Sequence, residues 1–133
     1  MRYLLDTNIC IYIAKKKPLT VLKKFEQLKV GEVGMSIITY GELIYGAQKS
    51  MYLEKSTSLL DELSQLILPL ALPIFAARHY GENRNKLEKQ GKIIGNNDLW
   101  IASHALASKL ILVTNNEKEF SRIPHLKIEN WIN

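Results

Sequence analysis

The sequence predicts one α/β domain across residues 1–133, built on a mostly parallel, short-stranded sheet flanked by helices. Three observations predict it. Short apolar runs alternate with stretches of helical period along the whole chain. The first run, Tyr3-Leu4-Leu5, is too short to be ordered unless it is buried, as strands of parallel sheets are. And 133 residues suffice for one domain with a sizeable core but not for two ordinary ones.

In chain order, residues 2–5 read as a strand and residues 8–15 as a short helix directly after it. Leu19, Val21, Leu22, Phe25 and Leu28 keep a helical period that Pro18 and Thr20 open and that closes near Gly31. Residues 33–36 form a second strand. A helix over 37–50 carries Tyr40, Leu43, Ile44 and Ala47, with Gly41 and Gly46 allowing a neighbour to approach closely. The next helix, 52–66, turns Leu59, Leu60, Leu63 and Leu66 inward. The apolar run 67–72 contains Pro69, which confines it to a short edge strand. Pro73 starts a helix that runs to about Gln90 and stops at Gly91, and Asn96 or Asn97 caps another that runs to about Lys109. A strand at 110–113, a helical turn at 117–121 and a strand at 126–131 complete the order. No repeat, linker or low-complexity segment interrupts it.

Composition narrows the class. With 47% apolar and 23% charged residues, the chain has the balance of a soluble globular protein. The single cysteine, Cys10, excludes an internal disulfide and fits a reducing cytoplasm, where it packs among Ile9, Ile11 and Ile13. No stretch has the apolar length of a membrane span, and the opening run is interrupted too early for a signal peptide. A net charge of +5 and a pI near 9.3 suggest an anionic partner, nucleic acid first. Lys15-Lys16-Lys17 and Lys23-Lys24 cluster early. Arg84, Lys86, Lys89 and Lys92 cluster later, where Glu82 with Lys86 and Glu88 with Lys92 predict self-paired surface charges.

The chemistry lies in the acids. Asp6 ends the first apolar run, at the carboxyl end of a strand, where ligands bind in parallel α/β sheets. Alone, Asp6 and Thr7 need only cap the helix that follows. Asp98 lies in a first turn on the face shared with Ile101, Ala102 and Ala105, which points it inward; dipole stabilisation alone would also place an acid there. Glu42 sits one turn into its helix, between Ile38 and Tyr45, and by itself would read as a surface residue. The segment Thr114 to Phe120 follows the strand ending at Val113, with Thr114 or Asn115 as an ordinary cap. Together, these positions fall on one edge of the sheet. Two carboxylates about 4 Å apart repel by about 4 kcal/mol at an effective dielectric near 20, so three of them require a cation or shared protons. Oxygen donors without nearby histidine or cysteine favour Mg2+ or Mn2+ and suit phosphodiester hydrolysis. Thr7 and Ser36 are placed to hold a water or a ligand with their hydroxyls, and His79, His104 and His125 read as structural or surface residues.

The residues that carry this pattern resemble a known family. Leu4-Leu5-Asp6-Thr7-Asn8, Ser36 with Gly41-Glu42-Leu43 and Gly46-Ala47, Asn97-Asp98 with Ile101-Ala102, Val113-Thr114-Asn115-Asn116 with Glu119-Phe120, and the closing Trp131 together resemble the PIN domain and, within it, the VapC toxins of toxin–antitoxin pairs. The resemblance covers essentially the whole chain. It implies a Mg2+-dependent endoribonuclease that arrests translation, with Asp6, Glu42 and Asp98 as the metal-binding carboxylates and initiator tRNA, cut in the anticodon stem-loop, as the leading substrate. It also implies a homodimer and an antitoxin whose tail lies over the acidic groove. The chain departs from the family at Asn116, where many PIN domains have aspartate. Asn116 is then expected to act as a water or metal-shell contact, with Glu119 as an optional helper. Two other readings stay open: a non-catalytic RNA- or protein-binding module, and a DNA-processing nuclease with the same site.

Overall fold

The structure, a computed structural model, describes residues 1–133. In order it contains β1 (Tyr3–Leu5), α1 (Thr7–Lys15), α2 (Leu19–Glu26), β2 (Val33–Ser36), α3 (Ile37–Gln48), α4 (Leu53–Leu66), β3 (Leu68–Leu70), α5 (Ala76–Lys89), α6 (Asn96–Ser108), β4 (Ile111–Val113), α7 (Glu117–Phe120) and β5 (Ile128–Glu129). The five strands form one sheet in the order β3-β2-β1-β4-β5, and every neighbouring pair is parallel. All carboxyl ends therefore share one edge.

Alternation along β1 sets the layers. Tyr3 and Leu5 enter a core with Ile9, Ile13, Val21, Met35, Leu63 and Trp131, while Leu4 enters the opposite core with Leu87, Leu99, Ile101, Leu112 and Phe120. Helices thus cover both faces, as the buried β1 requires. Trp131 meets the Tyr3 ring edge-on at 5.4 Å and fixes the chain end to the sheet. Cys10 is buried and unpaired among these apolar side chains.

Several local expectations change. The second helix stops at Glu26 rather than near Gly31, which instead takes φ +100° in the turn before β2. The close approach expected at Gly41 and Gly46 is absent: both face open space. Gly34 makes it instead, since a Cβ there would stand 2.8 Å from Leu70 Cδ1 and 3.1 Å from the Leu68 carbonyl. On α4 only Leu63 is buried, and Leu59 and Leu66 stay exposed because that face is only partly covered. The fifth helix begins at Ala76, three residues beyond Pro73. The predicted pairs Glu82–Lys86 and Glu88–Lys92 do not form; the salt bridges are Arg84–Glu88 at 3.8 Å and Arg2–Glu32 at 3.3 Å, and Lys92 lies past the end of α5. Strand β3 is an edge strand, with Pro69 opposite Met35. No helix is long and apolar enough to cross a membrane.

Candidate active site

The site begins where β1 and β4 end. The Asp6 N–H donates to the Val113 carbonyl at 3.0 Å, one step past the Leu5–Val113 pair, so Asp6 lies beside Thr114. Asp6 is buried, and its Oδ1 accepts from the Ile9 N–H at 3.0 Å, which makes it the N-cap of α1. The cap and the acid are one residue. Burial raises its pKa against hydrogen bonds from Thr114 and Ile9, and the Glu42 charge adds to the rise.

Thr7 connects this strand end to α3. Its hydroxyl donates to Glu42 Oε1 at 2.6 Å and lies 3.5 Å from Thr39 Oγ1, so Glu42 is a half-buried acid held by α1. Ser36 has different partners. Its Oγ accepts from the Ile38 N–H at 3.2 Å, capping α3, and lies 2.9 Å from His104 Nδ1. Burial lowers the pKa of His104 and so favours the neutral ring at this contact. His104 is buried against Ser36, a pairing that no sequence signal gives.

Asp98 enters from the other side. Ile101, Ala102 and Ala105 of α6 are buried, so their shared face does place Asp98 toward the sheet edge, half-buried. Its pKa rises to about 6, first through burial and then through the charges of Glu119, Asp6 and Glu42. The four acids thus belong to one electrostatic group.

The start of α6 departs from the expected asparagine cap. Gly95 is the N-cap, without a side-chain cap, and its N–H donates to Glu119 Oε1 at 3.2 Å across 24 residues of chain. Asn116 Nδ2 donates to Glu119 Oε2 at 2.7 Å. Thr114 Oγ1 accepts from the Asn116 N–H at 3.0 Å and so shapes the turn that brings both residues in. Asn115 points elsewhere, to the Tyr12 hydroxyl. The contributions of Gly95 and Thr39 have no signature in the sequence, because one acts through its backbone and the other through packing of α3 on α1.

As the side chains stand, no three of the His, Cys, Asp or Glu residues converge closely enough to enclose a metal ion. The edge nevertheless offers the carboxylate and hydroxyl oxygens of Asp6, Thr7, Glu42 and Asp98, the kind of donor that hard divalent cations take. A cation among Asp6, Glu42 and Asp98 would also relieve the repulsion that raises Asp98. An apolar groove of about 360 Å3 opens from Thr7 and Glu42, lined by Lys15, Leu43, Leu59 and Leu60. Lys23 and Lys24 line a separate cavity of about 350 Å3 with Thr20 and Trp131, which includes none of the four acids.

Comparison with known proteins gives a consistent answer. Residues 3–126 match the PIN domain family. The chain is 46% identical to Ribonuclease VapC2 of Haemophilus influenzae, over 99% of each chain. It is 40% identical to the tRNA(fMet)-specific endonuclease VapC of Shigella flexneri, over 98% of each. Its structure is similar to VapBC2 from Rickettsia felis bound to a DNA fragment from their promoter, with a TM-score of 0.91 at 45% identity over 98% of this chain and 99% of that one. The acids, the parallel sheet edge that gathers them and likeness over nearly the full length converge: the chain belongs to the PIN-domain family and, within it, to the VapC group.

Proposed function

We propose that the protein is a Mg2+-dependent endoribonuclease, the toxin of a cytoplasmic toxin–antitoxin pair, that cuts initiator tRNA in the anticodon stem-loop and so inhibits translation. The observation that carries this reading is the placement of Asp6, Glu42, Asp98 and Glu119 along the carboxyl edge of one parallel sheet. Its tRNA substrate is supported by the Shigella flexneri relative named for tRNA(fMet).

Asp6, Glu42 and Asp98 are the residues that would hold the ion. Mg2+ or Mn2+ bound there would lower the pKa of a water to supply a nucleophile at neutral pH and would offset charge on the scissile phosphate. The chain's own part is preparation. The cap on Oδ1 fixes the Asp6 rotamer, the Thr7 hydroxyl aims Glu42, and the buried α6 face delivers Asp98. Lys15 lines the groove that starts at Glu42 and places a positive charge where an RNA backbone would approach.

The same groove suits an amphipathic antitoxin tail, because Leu43, Leu59 and Leu60 give it an apolar wall beside the acids. The exposed apolar side chains of Ile37, Ile44 and Tyr45 on α3 support a homodimer. The test is cleavage of initiator tRNA by purified protein with Mg2+, with Mn2+ and with a chelator, beside matched RNA and DNA hairpins. Metal-dependent cleavage of RNA that Asp6→Asn and Asp98→Asn abolish is the expected result. Binding that persists in chelator without cleavage would indicate a non-catalytic module, and preferential cutting of the DNA hairpin would indicate a DNA-processing enzyme.

A further inference from the structure

Trp100 is the large side chain of α6 that the cores leave out. Its neighbours Leu99 and Ile101 are buried, whereas Trp100 is half-buried and belongs to neither apolar core. Its indole lies flat on the Tyr80 ring, with centroids 3.8 Å apart and planes 9° from parallel. Of the two rings, Tyr80 is the one that packs on the core of Leu4, Leu87 and Leu99, so the indole is the outer layer of the stack. Tyr80 is also held at its rim: its hydroxyl accepts from Arg84 Nη1 at 2.8 Å and donates to Asn96 Oδ1 at 3.2 Å. Rings ordered in advance lose little further entropy when a ligand settles on them.

The stack stands close to the acids. Asn96 and Asn97 open α6, and Trp100 lies on the same side of the helix about one turn, or roughly 5.4 Å, further on. Asn97 borders an opening of about 380 Å3 at Glu42. An RNA strand whose scissile phosphate lay at the acidic edge would bring a neighbouring nucleotide within reach of the indole. Proteins recognise single-stranded RNA by stacking its unpaired bases on aromatic side chains, and the loop of an anticodon stem-loop supplies such bases.

We propose that Trp100, backed by Tyr80, is a stacking site for an unpaired base of the RNA substrate beside the cleaved bond, and that it selects loops over duplex. The proposal rests on the RNA-cleaving reading above but needs no metal ion, because stacking is independent of one. A pair that only fastened α5 to α6 would leave RNA binding untouched.

The chain has two tryptophans, and Trp131 is buried against Tyr3, so Trp131→Phe leaves Trp100 as the sole indole reporter. The experiment titrates this variant, in chelator, with an RNA hairpin that carries an unpaired loop and with the same stem as a blunt duplex. The hairpin is expected to quench the emission and the duplex to leave it unchanged. Trp100→Leu is expected to weaken hairpin binding, read by anisotropy of labelled RNA, by about 10- to 100-fold, and Trp100→Phe, which keeps a ring, by less than about fivefold. In cleavage assays with Mg2+, Trp100→Leu should raise KM more than it lowers kcat. Equal quenching by hairpin and duplex overturns the proposal, as does an unchanged hairpin affinity in Trp100→Leu with a lower thermal midpoint. Absence of quenching with cleavage intact overturns the stacking site and spares the nuclease reading. Quenching that depends on Trp100, without cleavage in Mg2+, sustains the stacking site while the nuclease reading falls.

Discussion

The two sides of the acidic edge are built differently. On the β1 side, Asp6 is buried, immediately follows its strand and closes its own helix cap within three residues. On the α6 side, Asp98 is half-buried, sits in a helix without a side-chain cap, and depends on Glu119 from α7 to engage the first backbone N–H. The cap on Asp6 closes between neighbours in sequence, whereas the contact that engages the start of α6 spans 24 residues. A cap closed locally needs no distant partner, whereas the start of α6 needs α7 in place. Changes on the β1 side should therefore act on chemistry with little effect on folding, and changes on the α6 side should act on both.

The largest expected effect is that of Asp6→Asn. The amide oxygen can still accept from Ile9, so the cap survives while the charge is lost; cleavage should fall by about 10³-fold, the equivalent of about 4 kcal/mol of transition-state stabilisation, with circular dichroism unchanged. Asp6→Ala should add a stability loss of about 1 kcal/mol for the missing cap, seen as a lower denaturant midpoint. A cleavage rate in Asp6→Asn close to wild type would remove Asp6 from the chemistry.

Thr7→Val comes next. It leaves Glu42 Oε1 without its 2.6 Å donor, and cleavage should drop by about 10- to 100-fold while the fold persists. Thr7→Ser, which keeps the hydroxyl, should restore most of the rate. Equal losses in both variants would mean that the methyl group, and not the hydroxyl, matters.

The α6 side should respond to pH without any metal. The Asp98 pKa in the folded state, about 6, lies above its ordinary value of 3.8, so the folded state binds more protons between those values. Stability is then greatest below about pH 4 with respect to this group and falls as pH rises through about 6. Asp98→Asn should raise stability at pH 7.5 by about 1 kcal/mol, discounted because the side chain is half-exposed, and should make no difference near pH 4. Denaturant melts of metal-free protein at the two pH values measure this, and no gain at pH 7.5 would show that neither burial nor the neighbouring charges disfavour the Asp98 carboxylate.

The smallest effect concerns His104. Its pKa is depressed by burial, so the unfolded chain binds the extra proton as pH falls below about 6.5, and stability declines in that direction. Set against wild type, His104→Asn should lose less stability, or gain more, as pH is lowered from about 7 to about 5.5, because the Asp98 contribution of opposite sign stays in place in both. An identical slope would assign the titration to another group.

These contrasts also account for what the sequence reveals. Asp6 is conspicuous because a charge directly after Tyr3-Leu4-Leu5 conflicts with the burial that such a short strand needs, and the register of β1 with β4 resolves the conflict by ending the sheet there. Asp98 is legible from its spacing to Ile101, Ala102 and Ala105, since helical period fixes which way a first-turn residue faces. Asn116 and Glu119 are both visible as candidates, but their relation is not: one residue three positions from another can bond to it, to a backbone or to solvent, and only the placement of Gly95 decides. The same limit explains the glycines. Gly41 and Gly46 on α3 look like contact points, yet close approach depends on which strand lies alongside, and that is Gly34 against Leu70. Helix ends were displaced where a turn glycine, as at Gly31, lay several residues past the last helical hydrogen bond.

Strand β3 carries a consequence for how the molecule behaves in a crowded cell. Of the two margins of the sheet, this one consists of three residues with Pro69 in the middle, and the other, β5, has only two residues. A margin so short, with one amide proton missing, offers a poor template for a strand from another molecule. The sheet can therefore remain parallel and buried at its centre without offering its borders for strand pairing with another molecule.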